Sequence, residues 1–246
     1  EECFDDYSKY IYAVETGLSS DPAMNWRLSK LDNVTLVSNS DSHSPTRIGR
    51  EANVFDTELS YAGIIGAIKS KDPKKFLYTI EFFPEEGKYH YDGHRLCNIS
   101  LKPEQTKEAK FLCPKCKRPL TVGVLARANE LADRAEGFRP PNSIPYKNVI
   151  PLDQVIADSL GMSSTGNTGW PKRIWQEYEK LIRGLGNEFT VLTDASKDQL
   201  AGAGLSEIAE GIMKVRSGRV NIEPGYDGEY GKIAIFTAEE RENASK

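Results

Sequence analysis

The feature that most constrains this chain is a set of four metal-binding residue types at a short, regular spacing. His94 and Cys97 have two residues between them, as do Cys113 and Cys116, and fifteen residues separate the two pairs. This pattern is typical of structural zinc sites, in which each tight turn aims two donors at one ion and four donors complete a tetrahedron. A closed tetrahedron leaves no position for water. We therefore predict a structural zinc ion that stabilises a segment with almost no apolar core of its own.

Two points about this zinc module stay open in the sequence. His90 competes with His94 as the fourth ligand, and we favour His94 because its spacing to Cys97 mirrors that of the cysteine pair. The stretch around the second pair is basic. It contains Lys107, Lys110, Lys115, Lys117 and Arg118, with Glu108 as its single acidic residue. Such a patch faces phosphates about as often as it is a solvated surface, so both interpretations remain.

Composition limits the class of protein. The 246 residues are 39% hydrophobic and 28% charged with a net charge of −4, which fits a folded globular protein. Any nucleic-acid surface must therefore be a local patch. No apolar run approaches the roughly 20 residues that a membrane helix needs, and we expect no membrane partner. The chain starts without a signal-peptide profile, and its four cysteines suit a metal site better than a disulfide framework, so we expect a cytoplasmic protein.

The chain mixes α/β and α+β organisation. Strand-like and helical patterns alternate at the start, which favours parallel strands, and helical patterns dominate the second half. We predict strands over 10–17, 34–38 and 76–83, a short apolar piece over 52–56, and two short strands within 219–236. We predict helices over 22–30, 59–69, 122–136, 152–160, 171–183 and 205–216.

A second candidate metal site follows the strand over 34–38. Asp41 and His43 both lie on one side of an extended chain, where a carboxylate and an imidazole could bind zinc, manganese or iron and activate a water molecule. Glu15, at the end of the preceding strand, could be a third ligand. The alternative is a turn held by hydrogen bonds of Asp41 and Ser42, and the residues alone do not decide between the two.

Charged residues around this loop have two interpretations as well. Arg47 and Arg50 could clamp a phosphate near the ions, or they could be structural surface residues beside Glu51. Glu81, Glu85 and Glu86 could reach the same site, but we expect them to be exposed carboxylates.

Several of these sequence motifs, taken together, resemble one known protein family. The run SNSDSHSPTRIGREANVF, with ETGLSSDPAMNWRL before it and IEFFPEEGKYHYDGH after it, resembles endonuclease Q. That family is a DNA-repair nuclease with a metal domain of the polymerase-and-histidinol-phosphatase (PHP) type. The cysteine pair, LARANELADR and the terminal PGYDGEYGKI are also similar to it, so the resemblance covers nearly the whole chain.

The resemblance implies both a fold and an activity. It implies the C-terminal part of a distorted PHP-type β/α barrel over 1–83, a zinc-binding module over 84–121, and a mainly helical domain over 122–246 that ends in a short hairpin. It implies nicking of DNA on the 5′ side of deaminated bases (uracil, hypoxanthine, xanthine) and abasic sites. Asp41, His43 and Glu15 would hold divalent metals such as Zn, Mn or Mg, with Arg47 and Arg50 beside them.

The chain also departs from the family pattern. PHP domains begin with a His-x-His pair on their first strand, and the other histidines here are His90 and His94. We therefore expect an incomplete catalytic cluster in a C-terminal fragment that is inactive alone, with the N-terminal half of the same protein as its missing partner. Two other functions remain: a zinc-stabilised DNA-binding or partner-binding module without chemistry, and a PHP-type phosphoesterase acting on a small phosphate ester.

Overall fold

The computed structural model describes residues 3–162, 169–237 and 239–241. The chain forms two compact units. The first contains Glu1–Lys147 and Pro224–Lys232, and the second contains Asn148–Glu223 and Ile233–Lys246. The segment over 84–121, which is predicted to bind zinc, is thus part of the first unit, together with a short stretch from near the C-terminus.

The first unit opens with the parallel pair that the alternation of patterns predicts. Strand β1 (Ala13–Glu15) pairs with strand β2 (Thr35–Val37) in parallel, with Val14 opposite Leu36. Backbone bonds extend the pairing at both ends, from the Thr35 amide to the Tyr12 carbonyl (2.9 Å) and from the Thr16 amide to the Val37 carbonyl (3.0 Å). Both strands therefore end at the same edge of the pair, where β1 ends at the candidate ligand Glu15 and β2 precedes the loop that contains Asp41.

The crossover between β1 and β2 is less helical than expected. The sequence predicts one helix over 22–30, but helix α1 spans Pro22–Asn25 and a separate 3-10 turn covers Ser29–Leu31. The start follows the expected chemistry, since the Asp21 side chain accepts the Met24 amide at 2.8 Å and Pro22 takes the first turn. A single turn gains few intrahelical bonds, so packing decides where it ends.

An antiparallel pair follows. Strand β3 (Ala52–Phe55) pairs with strand β4 (Phe76–Glu81), placing Ala52 opposite Ile80, and helix α2 (Tyr61–Ser70) connects them. The Ser60 side chain caps α2 by accepting the Gly63 amide. The core of this region contains Ala67, Phe76 and Ile144, with partly buried Phe55 packed on Phe76 at 4.4 Å between ring centres.

The rest of the first unit consists of short elements. Strand β5 (Asp92–His94) pairs antiparallel with β6 (Ile99–Leu101), and helices α3 (Pro103–Glu108) and α4 (Val124–Leu131) follow. Strand β7 (Tyr146–Asn148) joins β4 at the edge of the β3–β4 sheet. The sequence did not predict α3, and α4 is shorter than the helix expected over 122–136 because the chain leaves helical geometry at Ala132.

The second unit is a helical layer. It contains α5 (Leu152–Ser159), α6 (Lys172–Leu185), α7 (Lys197–Ala203) and α8 (Ser206–Arg216), and neighbouring helices bury Ile156, Leu181, Leu200, Ile208 and Ile212. The sequence did not predict α7. Two short strands, β8 (Asn221–Glu223) and β9 (Lys232–Ala234), pair as expected near the end. Within the described residues, no helix combines the length and apolar character needed to cross a membrane.

Candidate functional site

The four residues of the zinc pattern come together in the structure. One donor atom from each of His94, Cys97, Cys113 and Cys116 lies within 4.8 Å of the others, and Cys116 Sγ is 3.3 Å from His94 Nδ1. Ligands of one tetrahedral zinc ion stand about 3.8 Å apart when the Zn–S bonds are about 2.3 Å, so this spacing fits a metal ion. His90 is buried elsewhere and is not in the group.

The thiol pKa values show how closely these groups interact. Hydrogen bonding to Cys116, followed by burial, raises the pKa of Cys97 to about 11. Burial would also raise the pKa of Cys113, but the amides of Cys116 and Lys115, together with His94, lower it to about 6. The site thus stabilises a thiolate at Cys113, which is the form that binds metal.

Residues from near the C-terminus support the first pair of ligands. The Asp227 carboxylate accepts the Arg95 amide at 2.7 Å and the Thr121 hydroxyl at 2.5 Å. The Tyr226 hydroxyl donates to Asn98 at 2.8 Å, and a side chain at Gly93 would lie 2.3 Å from the Tyr226 ring. The turn over 225–228 therefore holds the backbone on both sides of His94 and Cys97.

The Asp41 loop has a definite local structure. Asp41 adopts a left-handed conformation (φ +44°), and its carbonyl lies 2.9 Å from His43 Nδ1. A carbonyl can only accept, so Nδ1 carries the proton, and Nε2 is the ring nitrogen that remains for a metal ion. The loop thus has the tautomer that a metal-binding histidine needs, and the hydroxyl of Ser42, rather than the Asp41 carboxylate, forms the local turn bond to Ser44.

Two of the predicted ligands share a pocket. Glu15 and Asp41 line an open pocket of about 410 Å³ together with Asn39, Gly17 and Leu18. His43 is exposed and is not in this lining. Among the described residues, Glu15, Asp41 and His43 do not form a group of three close donors as the cysteines and His94 do.

The Arg50 side chain contacts the backbone of the Asp41 loop. Its guanidinium donates to the Ser40 carbonyl at 3.4 Å and sits over the Phe82 ring at 5.4 Å. Both contacts hold the loop in place, while Arg47 lies in the turn that follows it and interacts electrostatically with Glu86. Their proposed contact with phosphate stays a prediction.

The sequence missed a buried carboxylate pair beside this loop. Glu51 precedes β3 and Glu81 ends β4, and since Ala52 is opposite Ile80, the two glutamates are the next cross-strand pair. Their exposed fractions are 3% and 0%, so the expectation that Glu81 is an exposed carboxylate is wrong. The pairing of β3 with β4 puts both side chains on one face of the sheet. The sequence pattern does not reveal this pairing.

The two glutamates have different partners. Glu81 accepts the hydroxyls of Thr16 (2.9 Å) and Thr79 (2.5 Å), whereas neither carboxylate oxygen of Glu51 has a partner with hydrogen-bond geometry. Burial raises the pKa of Glu81 to about 7, and burial followed by repulsion from Glu81 raises that of Glu51 to about 8. Burial therefore favours the protonated form of both carboxyls, and the pair titrates near neutral pH.

Two further carboxylates extend this acidic region. Glu85 and Glu86 lie in the 3-10 turn after β4 and are partly buried, not exposed as expected. Burial raises the pKa of Glu85, and it raises that of Glu86 to about 7 against the opposing effect of Arg47 and Arg50. These pKa shifts result from burial in the folded protein, which the residue types alone do not predict.

This chain is similar in sequence to one family model and to two proteins of other organisms. A family model described as the MJ0043 C-terminal domain matches residues 151–219. The uncharacterized protein MJ0043 of Methanocaldococcus jannaschii is 35% identical over 96% of this chain, and the uncharacterized protein YqxK of Bacillus subtilis is 32% identical over 91%. These alignments cover 30% and 52% of the two relatives, so the chain spans at most about half of their length.

Solved structures are more informative. The crystal structure of the lesion-specific endonuclease PfuEndoQ from Pyrococcus furiosus matches 99% of this chain with a TM-score of 0.83 and 29% identity. The chain resembles endonuclease Q. The crystal structure of endonuclease Q with a 27-mer duplex substrate, which has an abasic lesion at the active site, matches 93% of the chain with a TM-score of 0.77 and 29% identity.

The predicted resemblance is therefore confirmed at the level of fold. The matched regions cover 61% and 56% of the two endonuclease Q chains. The mixed α/β architecture and the His/Cys group agree with the prediction, and likeness to endonuclease Q supports a DNA-repair endonuclease kind of function.

Proposed function

We propose that this protein is a DNA-repair endonuclease that nicks the strand on the 5′ side of deaminated bases (uracil, hypoxanthine or xanthine) and of abasic sites. The observation that carries the proposal is the fold match to endonuclease Q over 99% of the chain, including a solved complex with lesion-containing duplex. The pocket at the ends of β1 and β2 supports it, because ligands bind at the carboxyl ends of parallel strands.

The residues of this chain would bind a divalent cation and position the phosphate. Glu15 and Asp41 line the pocket, and Asn39 adds a third oxygen donor, a set that suits Mg²⁺ or Mn²⁺. His43, with its proton on Nδ1, offers Nε2 to zinc or manganese. A divalent cation bound there would supply Lewis acidity and an activated water for attack on the phosphodiester. Arg47 and Arg50 would position the phosphate beside it.

We propose that this cluster is completed by ligands outside residues 1–246. Within the described residues, the pocket brings together two carboxylates, fewer protein ligands than a hydrolytic metal centre uses. We further propose that His94, Cys97, Cys113 and Cys116 hold a structural zinc ion, whose role is to order the basic segment around the second pair.

A nicking assay tests the function. Duplexes that differ by one uracil, one hypoxanthine or one abasic site are incubated with Mg²⁺ or Mn²⁺ and either residues 1–246 or a longer protein that also carries the proposed N-terminal half. We expect the longer protein to cut 5′ to each lesion and residues 1–246 to leave the duplexes intact. Asp41→Asn in the longer protein should abolish cutting, whereas the matched exposed-site variant Glu108→Gln should cut normally.

Three outcomes would change the assignment. Cleavage by residues 1–246 alone would refute the incomplete cluster. Turnover of a small phosphomonoester without cutting of any duplex would favour the phosphoesterase. Tight binding of lesion duplexes without cleavage by either protein would favour a zinc-stabilised DNA-binding module, which the closed His/Cys group already makes the second candidate.

A further inference from the structure

A large cavity of the first unit lies outside the site described above. Its volume is about 630 Å³, within the range of pockets that bind small molecules. One side is lined by Val34, Thr35 and Leu36 at the start of β2, and the opposite side by the proline-rich connector over 139–145. This connector forms one wall of the cavity.

The cavity has a flat aromatic surface. Trp26, at the end of α1, lines it and is held in place by an edge-on contact with Tyr146 at 5.5 Å and 68°. The Arg139 guanidinium lies over the Trp26 ring at 5.4 Å, and Arg139 Nε donates to the Ser143 hydroxyl at 3.1 Å. A planar ligand entering here would therefore meet the indole ring together with the guanidinium that lies over it.

The charge of the cavity is positive. Asp32 lines it, but both of its carboxylate oxygens accept N–H groups of Arg134, which neutralises that carboxylate. The remaining charged groups of the lining are Lys71 and Arg139. Lys71 Nζ donates to the Asp32 backbone carbonyl at 2.5 Å, which keeps the ammonium group at the cavity without cancelling its charge.

The position of Lys71 is unusual in a further way. It caps the C-terminus of α2 in a left-handed conformation (φ +52°), where glycine is the preferred residue. A side chain kept at such a position carries a conformational cost, and residues of this kind cluster at binding sites. The side chain of Lys71 thus lines the cavity from the C-terminal end of α2.

We propose that this cavity binds a nucleotide unit: a planar heteroaromatic ring packed against Trp26 and the Arg139 guanidinium over it, with its phosphate held by Lys71 and Arg139. In the lining, the Asn142 side-chain amide can donate to or accept from the edge of the ring, and Asn25 Oδ1 can accept from it, since the Asn25 NH2 group already donates to Ser20 and Asp21. The unit could come from a free nucleotide or from a nucleotide of a DNA strand, since both present the same ring and phosphate. The proposal stands apart from the nicking activity, because the cavity and the Asp41 pocket share no lining residue.

Calorimetric titration of residues 1–246 with deoxyadenosine monophosphate tests the site. We expect saturable binding of one nucleotide, with deoxyadenosine and inorganic phosphate each binding at least about tenfold more weakly. Arg139→Ala should weaken nucleotide binding about tenfold, because it removes a charge-assisted contact from an exposed side chain. The control Arg183→Ala, which removes an exposed arginine that pairs with Glu179 in α6, should leave it unchanged.

The stacking surface needs a second variant, because Trp26→Ala removes packing around Tyr146. Trp26→Phe keeps an aromatic ring of smaller area and should weaken nucleotide binding severalfold without unfolding the chain. Competition by a short single-stranded oligodeoxynucleotide would identify a strand nucleotide as the ligand, and its absence would identify a free nucleotide. No saturable nucleotide binding, or equal loss in Arg139→Ala and Arg183→Ala, would overturn the proposal, and neither result bears on DNA nicking.

Discussion

Replacing Glu51 with glutamine should change how the stability of this protein depends on pH. Glu51 is 3% exposed, and burial, followed by repulsion from Glu81, raises its pKa from 4.5 to about 8. The folded state therefore keeps a proton that the unfolded state loses, and stability must fall as pH rises from 4.5 through 8. Glutamine has the shape of the neutral acid and does not ionise, so Glu51→Gln should remove this loss.

The size of the effect follows from the two pKa values. Each pKa unit between the folded and unfolded states is worth about 1.4 kcal/mol. Between pH 6 and pH 8 the unfolded carboxyl is ionised while the folded one is only beginning to ionise. Glu51 then contributes a loss of about 2 kcal/mol over this interval. Glu81, with a pKa of about 7, titrates together with Glu51, so the loss belongs to the pair.

Urea unfolding at pH 6 and pH 8, followed by tryptophan fluorescence, measures the difference. The wild-type free energy of unfolding should fall by about 2 kcal/mol more between these pH values than that of Glu51→Gln. Any pH-independent cost of burying the glutamine amide cancels in this comparison. Glu108→Gln replaces an exposed carboxylate of the same unit and should keep the wild-type dependence. Equal pH dependence of Glu51→Gln and wild type would show that Glu51 is ionised in the fold, and would refute the reasoning.

Three further predictions concern the His/Cys group. Serine at Cys113 should abolish binding of about one zinc per chain, measured by metal analysis of the purified protein, because three donors do not close the tetrahedron. Asp227→Asn should lower the free energy of unfolding by about 1–3 kcal/mol in urea titrations, since the Arg95 amide and the Thr121 hydroxyl lose a charged acceptor. Gly93→Ala should lower zinc affinity in chelator competition, because its methyl group would displace the Tyr226 ring.

Controls separate these effects from general damage to the fold. Cys3→Ser removes an exposed cysteine outside the group and should keep the full zinc content. Gly66→Ala, in α2, meets no atom within 4 Å of the added carbon, so it should keep zinc affinity and stabilise the helix slightly. Unchanged zinc content in Cys113→Ser, or unchanged affinity in Gly93→Ala, would contradict the assigned ligand geometry.

The local features of this protein were predictable from the sequence. The spacing of His94, Cys97, Cys113 and Cys116 predicts one group of donors, because short turns determine how two nearby side chains converge, and the structure brings these four together. Alternation of apolar residues predicts β2, and the periodicity over 59–69 predicts α2. The resemblance to endonuclease Q was also accessible from linear motifs, and the solved structures confirm it.

The tertiary structure alone decided the features that depend on distant residues. Glu51 and Glu81 are thirty positions apart, and only the register of β3 against β4 makes them a buried pair with raised pKa values. The cavity at Trp26 likewise depends on Lys71 and Arg139, which are distant in sequence but line the same space. A sequence specifies residue types and their periodicity, but burial and charge interaction depend on which strands and loops pack together. Spacing along the chain therefore determined the His/Cys group, whereas packing determined the buried carboxylate pair and the cavity at Trp26.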